Sequence, residues 1–207
     1  MMTFKKNYIY EVILKIDTGN EKNFAPIGIK YLGTENNVKK FEISVFKKTK
    51  TACLLSENSN KNLNRKRNFE LTCIFASDLD CFYNSITKNF SSEFIRKIEK
   101  FPKAVLEPKE IDALGDKFRI TCTLRPTEKS AERKIEKNLL NRAKYLTLEA
   151  LICYTKPMIY DEKIKKISEM LRVIKKIAPD SEYERIVSDL LINIKGNNIE
   201  KDKFINL

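Results

Sequence analysis

YIYEVILKIDTGNEKNFAPIGIKYLGTENNVKKFEISVF, residues 8–46, is the stretch that decides the fold class. Tyr8 to Ile16 is an apolar, β-branched run with the composition of a strand. Asp17-Thr18-Gly19-Asn20 is a turn signal, and Asn23 to Leu32 returns as a second strand, so the two read as a hairpin. Gly33 to Asn37 turns the chain again. Phe41, Ile43 and Val45 then alternate with Glu42 and Ser44, which points one face of a third strand inward. Inside the second strand, Pro26 supplies no ladder donor and therefore belongs at an edge or a bulge. Gly28 lets something approach the backbone closely. A flat aromatic ring lying on the strand and a bend with no ligand both fit that pattern.

Downstream of Phe46 the pattern changes. Lys47-Lys48-Thr49-Lys50-Thr51 is polar and basic and precedes a short helical run, Ala52 to Leu55. Ser56 to Arg67 is rich in Asn, Ser and Lys without periodicity, and reads as a mobile loop. Phe69, Leu71, Cys73 and Phe75 restore a strand. Asp78 or Asp80 caps a helix through about Thr87. These two carboxylates would do acid–base work only if their surroundings separated their pKa values, and capping accounts for them more simply. Phe90 to Phe101 reads as a helix stopped by Pro102. Ala104 to Leu106 and Phe118 to Leu124 are further strands, and Arg125-Pro126 closes the β region.

From Ser130 the apolar period becomes helical. Ile135, Leu139, Ala143, Leu146, Ala150 and Tyr154 mark one face of a long helix that Pro157 ends. Ile164 to Ile177 forms a second helix. Ser181 with Glu184 opens a third as a capping box, through Ile194, and the last dozen residues read as a polar, frayed end. Strands first and helices after predict an α+β chain: a β domain over 1–128, a helical subdomain over 129–195 and a polar tail over 196–207.

The totals exclude several kinds of chemistry. Histidine is absent, which removes Ser-His-Asp and Cys-His mechanisms and His-ligated metals. The five cysteines form no C-x-x-C pair, so no zinc site is expected, and Cys73 and Cys122 fall on apolar faces as core thiols. Any reactive group at neutral pH is therefore expected to come from a cofactor. The formal charge of +12 is spread along the chain rather than clustered, so nucleic acid is not the expected partner. No apolar run has the length of a membrane span. Glu11, Lys15 and Asp17 interrupt the N-terminal run, so no signal peptide is expected and the expected compartment is the cytoplasm.

Besides the Pro26–Gly28 strand, two places could hold a ligand. At Lys48-Thr49-Lys50-Thr51, a helix start offers unsatisfied N–H groups, two hydroxyls and lysine charge, a set suited to phosphate. A solvated turn with capping threonines fits the same residues. Asn141-Arg142 could reach a phosphate through the guanidinium, with a surface ion pair to Glu149 as the ordinary alternative.

Five segments together resemble a mainly archaeal family known as domain of unknown function 447. They are YEVILKI at Tyr10 to Ile16, NFAPIGI at Asn23 to Ile29, VFKKTKTACLL at Val45 to Leu55, FASDLDCFYNSI at Phe75 to Ile86, and NRAKYLTLEALICYTKP at Asn141 to Pro157. The NFAPIGI segment is the most specific, being similar to the family's Asn-x-Ala-Pro-x-Gly. The chain departs from the family pattern at Ala76-Ser77-Asp78-Leu79, where the family has Thr-Asp-Asp-Pro, and at Lys50, where it has Arg.

The resemblance implies an FMN-binding split β-barrel followed by a helical subdomain, working as a homodimer related to flavin reductases and pyridoxamine-phosphate oxidases. It implies that Thr49, Lys50 and Thr51, with Lys48, hold the FMN phosphate, and that Ala25, Pro26, Ile27 and Gly28 line the isoalloxazine. Asn141 and Arg142 are further cofactor candidates from the helical part. The function implied is an FMN-binding flavoprotein, with an oxidoreductase of unnamed substrate as its enzymatic form. The alternative is a non-enzymatic dimeric binding or assembly module on the same scaffold.

Overall fold

The computed structural model describes residues 4–59, 69–126, 134–135 and 137–205. The chain divides into two compact units, Met1–Leu140 and Asn141–Leu207.

The first unit is a closed, six-stranded antiparallel barrel. Its strands are β1 (Ile9–Asp17), β2 (Lys22–Glu35), β3 (Val38–Phe46), β4 (Glu70–Ile74), β5 (Lys103–Leu114) and β6 (Lys117–Pro126), in the order β1-β2-β3-β6-β5-β4, with β4 returning to β1. Helix α1 (Lys50–Ser59) lies between β3 and β4, and α2 (Leu79–Thr87) and α3 (Ser92–Ile98) lie between β4 and β5. Alternation along the strands fills the interior, where Val12, Leu14, Ile16, Ile29, Phe41 and Ile43 have no exposed surface. A second core forms where α2 and α3 cover the outer side of the sheet. Ile13, Phe24 and Ile74 meet Cys81, Phe94 and Ile98 there, and Phe24 stacks edge-on against Phe90 and Phe94.

Several boundaries differ from the sequence reading. The second strand runs on to Glu35, past a register shift between Tyr31 and Gly33. The turn proper is Asn36-Asn37, both left-handed, as a two-residue hairpin loop requires. The helix after the basic step extends from Lys50 to Ser59, so the expected loop does not begin at Ser56. Its remaining residues, 60–67, lie outside the described residues. The strand expected at Ala104–Leu106 reaches Leu114. Beyond Leu106 it carries Glu107, Pro108, Lys109, Glu110 and Asp112, which hide the period, and pairing with β6 holds it extended.

Of the two acids after β4, Asp78 caps α2, and Asp80 lies in the helix's first turn. Asp78 accepts the Asp80 N–H (2.8 Å), and Lys97 of α3 reaches its other oxygen at 2.8 Å. That hydrogen bond is the main reason the Asp78 pKa lies below the usual carboxylate range.

The buried cysteines are core thiols. Burial, and next the neighbouring Cys122, push the Cys73 thiol well up, and burial pushes Cys122 to about 12. Cys81 and Cys153 are buried too, leaving Cys53 as the exposed one. A thiol-reactive chromophore at pH 8 is therefore expected to modify Cys53 rapidly and the other four only after unfolding. Rapid reaction of two or more thiols in the native protein would contradict this packing.

The second unit holds α4 (Ala143–Thr155), α5 (Tyr160–Ile177) and α6 (Glu182–Ile205), which pack on one another. The helix expected to run unbroken from Ile135 does not. The Glu11 N–H donates to Leu140 O (2.8 Å), and this bridge holds the chain extended where the helix would pass. Asn141 then starts the new helix by accepting the Ala143 N–H at 2.8 Å. The capping box at the third helix forms with one shift. Ser181 Oγ accepts the Glu184 N–H, and the Glu184 carboxylate reaches back to the Asp180 N–H. This helix continues past Ile194 to Ile205. Among the described residues no helix is long and apolar enough to cross a membrane, and no cluster of potential metal ligands occurs.

Candidate functional site

The barrel ladder parts between β2 and β3. β2 pairs with β3 only from Ile29 to Glu35, while Lys22 to Gly28 pair with β1 alone. β3 meanwhile follows β6 through Ser44, Val45 and Phe46. Helix α1 enters at this parting and packs on both β2 and β3.

Pro26 belongs here for a backbone reason. Phe24 O accepts from Lys88 Nζ at 3.1 Å, so the backbone groups of Phe24 face away from β1. N–H and C=O directions alternate along a strand, so Pro26 turns the same way, toward the parting. Its missing N–H therefore costs the β1 ladder nothing. The edge expected from sequence is present, and the register opposite Pro26 is regular, without a bulge.

Thr49 caps α1. Its Oγ1 accepts the Ala52 N–H (3.2 Å) and donates to Phe46 O (2.8 Å). Thr51 is buried, and its Oγ1 accepts from Asn23 Nδ2 at 3.1 Å, which leaves its own proton to donate elsewhere. Lys50 pairs with Glu21, and Lys48 is exposed. No acidic residue occupies the first turn of α1, so nothing on the helix itself offsets its positive end. The structure thus joins the basic step to the strand carrying Ala25 to Gly28 through one buried side chain, Asn23.

Ala25 and Ile27 share the inward face with Asn23, whereas Pro26 and Gly28 face outward. What approaches Gly28 closely is the chain itself: a Cβ there would sit 2.7 Å from Ile9 Cγ2. Gly28→Ala is expected to cost about 1–3 kcal/mol of stability, because a β-branched neighbour cannot swing aside. The Ile9→Ala/Gly28→Ala double variant should recover most of the cost attributable to residue 28. Additive losses in a denaturant double-mutant cycle would refute that contact.

Asn141 and Arg142 lie in the second unit, at the start of α4. The Asn141 amide is buried and committed to structure: Nδ2 donates to Ile177 O (3.0 Å) while Oδ1 caps α4. Arg142 is exposed.

Two residues at the parting escaped the sequence reading. Asn23 had a signal, a lone amide at the inward positions of an otherwise apolar strand. Lys88 had none. It ends α2 in the left-handed conformation (φ 59°), and its Nζ reaches Phe24 O and Asn23 Oδ1, the latter at 3.4 Å. Burial, and next the charge of Lys50, lower its pKa. The opposite end of the barrel holds a cavity of about 390 Å³, lined among others by Phe4, Val38, Lys39 and Arg125.

No family model matches the chain. No curated protein matches it. Among solved structures, the chain is similar to the FMN-bound protein MM1853 from Methanosarcina mazei, described under family-model DUF447. The two are 16% identical with a TM-score of 0.40, over 92% of this chain and 96% of that one.

Proposed function

We propose that this chain is a homodimeric FMN-binding flavoprotein that seats the cofactor at the parting of its barrel. The observation that carries the reading is the Asn23 Nδ2 to Thr51 Oγ1 bond of 3.1 Å, which fixes the α1 start against the beginning of β2. Pro26 lies three residues from Asn23, about 10 Å along the strand. A phosphate at the α1 start and a planar ring beside Ala25 to Gly28 suit that separation.

The donor set fits a phosphate ester. The first-turn N–H groups of α1 and the Thr51 hydroxyl donate hydrogen bonds, while Lys50 and Lys88 bring charge. Thr49 contributes by shaping the turn, since its hydroxyl is spent on the cap. When bound, FMN supplies the redox chemistry, consistent with a chain that has no histidine. The protein's part is to hold the phosphate, lay the ring on β2 and leave one ring face for a reactant. Phe46, Ile111 and Leu114 are large apolar side chains exposed on β3 and β5, which supports burial against a second copy.

The test is reconstitution of the purified protein with FMN, followed by gel filtration and an absorbance spectrum. A yellow dimer carrying one flavin per protomer, released on denaturation, is expected. A colourless protein that takes up no FMN overturns the reading.

A further inference from the structure

We propose that Lys88 is the specificity-determining cation of this site, the residue by which the protein takes a flavin bearing a phosphate monoester and rejects the same flavin without it. The inference rests on the FMN reading above and assigns to a residue outside the basic step the recognition of the ligand's charge.

The argument begins with where the ammonium is held. The left-handed end of α2 turns the Lys88 side chain back across β2, where Nζ donates to Phe24 O (3.1 Å) and Asn23 Oδ1 (3.4 Å). Those hydrogen bonds use two of its three N–H bonds, and the third has no oxygen acceptor among the described residues, with the Phe90 ring 5.9 Å from Nζ. Asn23 in turn donates to Thr51 Oγ1 at 3.1 Å, so one amide separates the Lys88 charge from the first turn of α1.

Both hydrogen-bond acceptors of Lys88 are neutral oxygens, and its one further contact among the described residues is the Phe90 ring. Among the described residues no carboxylate pairs with it, whereas Lys50 on the neighbouring turn has Glu21. The Lys50 ammonium is thus near enough to disfavour the charge on Lys88, and the carboxylate of Glu21 is paired with Lys50. A purely structural tie from α2 to β2 needs no charge, since an amide would donate to the same two oxygens. A dianionic phosphate at the α1 start would reverse the repulsion, satisfying the third N–H of Lys88 and the charge of Lys50 together.

The probes are FMN and riboflavin, titrated by flavin fluorescence into the full-length protein and its Lys88→Met, Lys88→Gln and Lys88→Arg variants. The wild type is expected to prefer FMN by about 100-fold or more, the scale of one or two charge-assisted hydrogen bonds. Lys88→Met and Lys88→Gln should weaken FMN binding by about 10- to 100-fold and leave riboflavin within about threefold. Lys88→Arg should retain most of the preference. Equal losses for both flavins would make Lys88 a structural tie and overturn the proposal, as would unchanged FMN affinity in the neutral variants. A wild type that binds riboflavin as tightly as FMN overturns it without any variant. A wild type that binds neither flavin fails the FMN reading itself, a result distinct from the others.

Discussion

Phe41→Ala is expected to lower the stability of the barrel unit by about 3–5 kcal/mol, enough to bring a domain of ordinary stability close to unfolding. Phe41 has no exposed surface and sits on β3 between Tyr31 of β2 and Cys122 of β6. Its ring meets Phe4 edge-on at 5.1 Å and Tyr31 at 5.1 Å. Truncation removes the buried area, leaves a cavity the surrounding strands cannot close, and breaks both aromatic contacts. For a unit of this size the melting temperature should fall by roughly 10–20 °C. Phe41→Leu keeps most of the volume and should cost far less, about 1–1.5 kcal/mol. A thermal or urea melt decides it, and an alanine variant within about 1 kcal/mol of wild type would mean that the ring does not pack as described.

The second large effect is expected at Asn23. This side chain is 1% exposed and serves two elements at once, donating to Thr51 of α1 and accepting from Lys88 at the end of α2. Asn23→Ala removes both contacts and should cost about 1–3 kcal/mol of stability. Under the flavin reading it should also weaken FMN binding by about 10- to 100-fold, because the hydroxyl and the ammonium are no longer held toward the same point. Asn23→Asp separates the two effects. It keeps an acceptor for Lys88, now charge-assisted, but loses the donor to Thr51 and places a carboxylate beside the phosphate. Its stability should lie closer to wild type than that of Asn23→Ala, and its FMN affinity should be at least as poor. Calorimetry and FMN titration of the two variants test this, and an aspartate variant that binds FMN as wild type does would place the phosphate elsewhere.

Much of the fold was legible because the inward positions of β1, β2 and β3 carry a clean period of two and their turns carry Gly or Asn. The helices were legible for the same reason at the other period. What misled was local. The polar half of β5 looks like a loop, and only its pairing with β6 keeps it extended. The run from Ile135 to Tyr154 has an unbroken helical period, yet a backbone bond from Glu11 to Leu140 interrupts it. The candidate site was half legible. Thr49, Lys50 and Thr51 announce a helix start, and Pro26 announces an edge. Gly28 was ambiguous, and its close neighbour is Ile9.

By itself the sequence determined which segments extend, which coil, and that histidine chemistry is absent, since periodicity, turn residues and composition are local properties of the chain. The tertiary structure alone decided that β2 stands apart from β3 before Ile29, that α1 packs at the opening, and that Lys88 meets Asn23, 65 residues away, while Asn23 holds Thr51. Barrel closure imposes that convergence. The pairing of β4 back onto β1 fixes which ends meet, and no window of neighbouring residues carries that information.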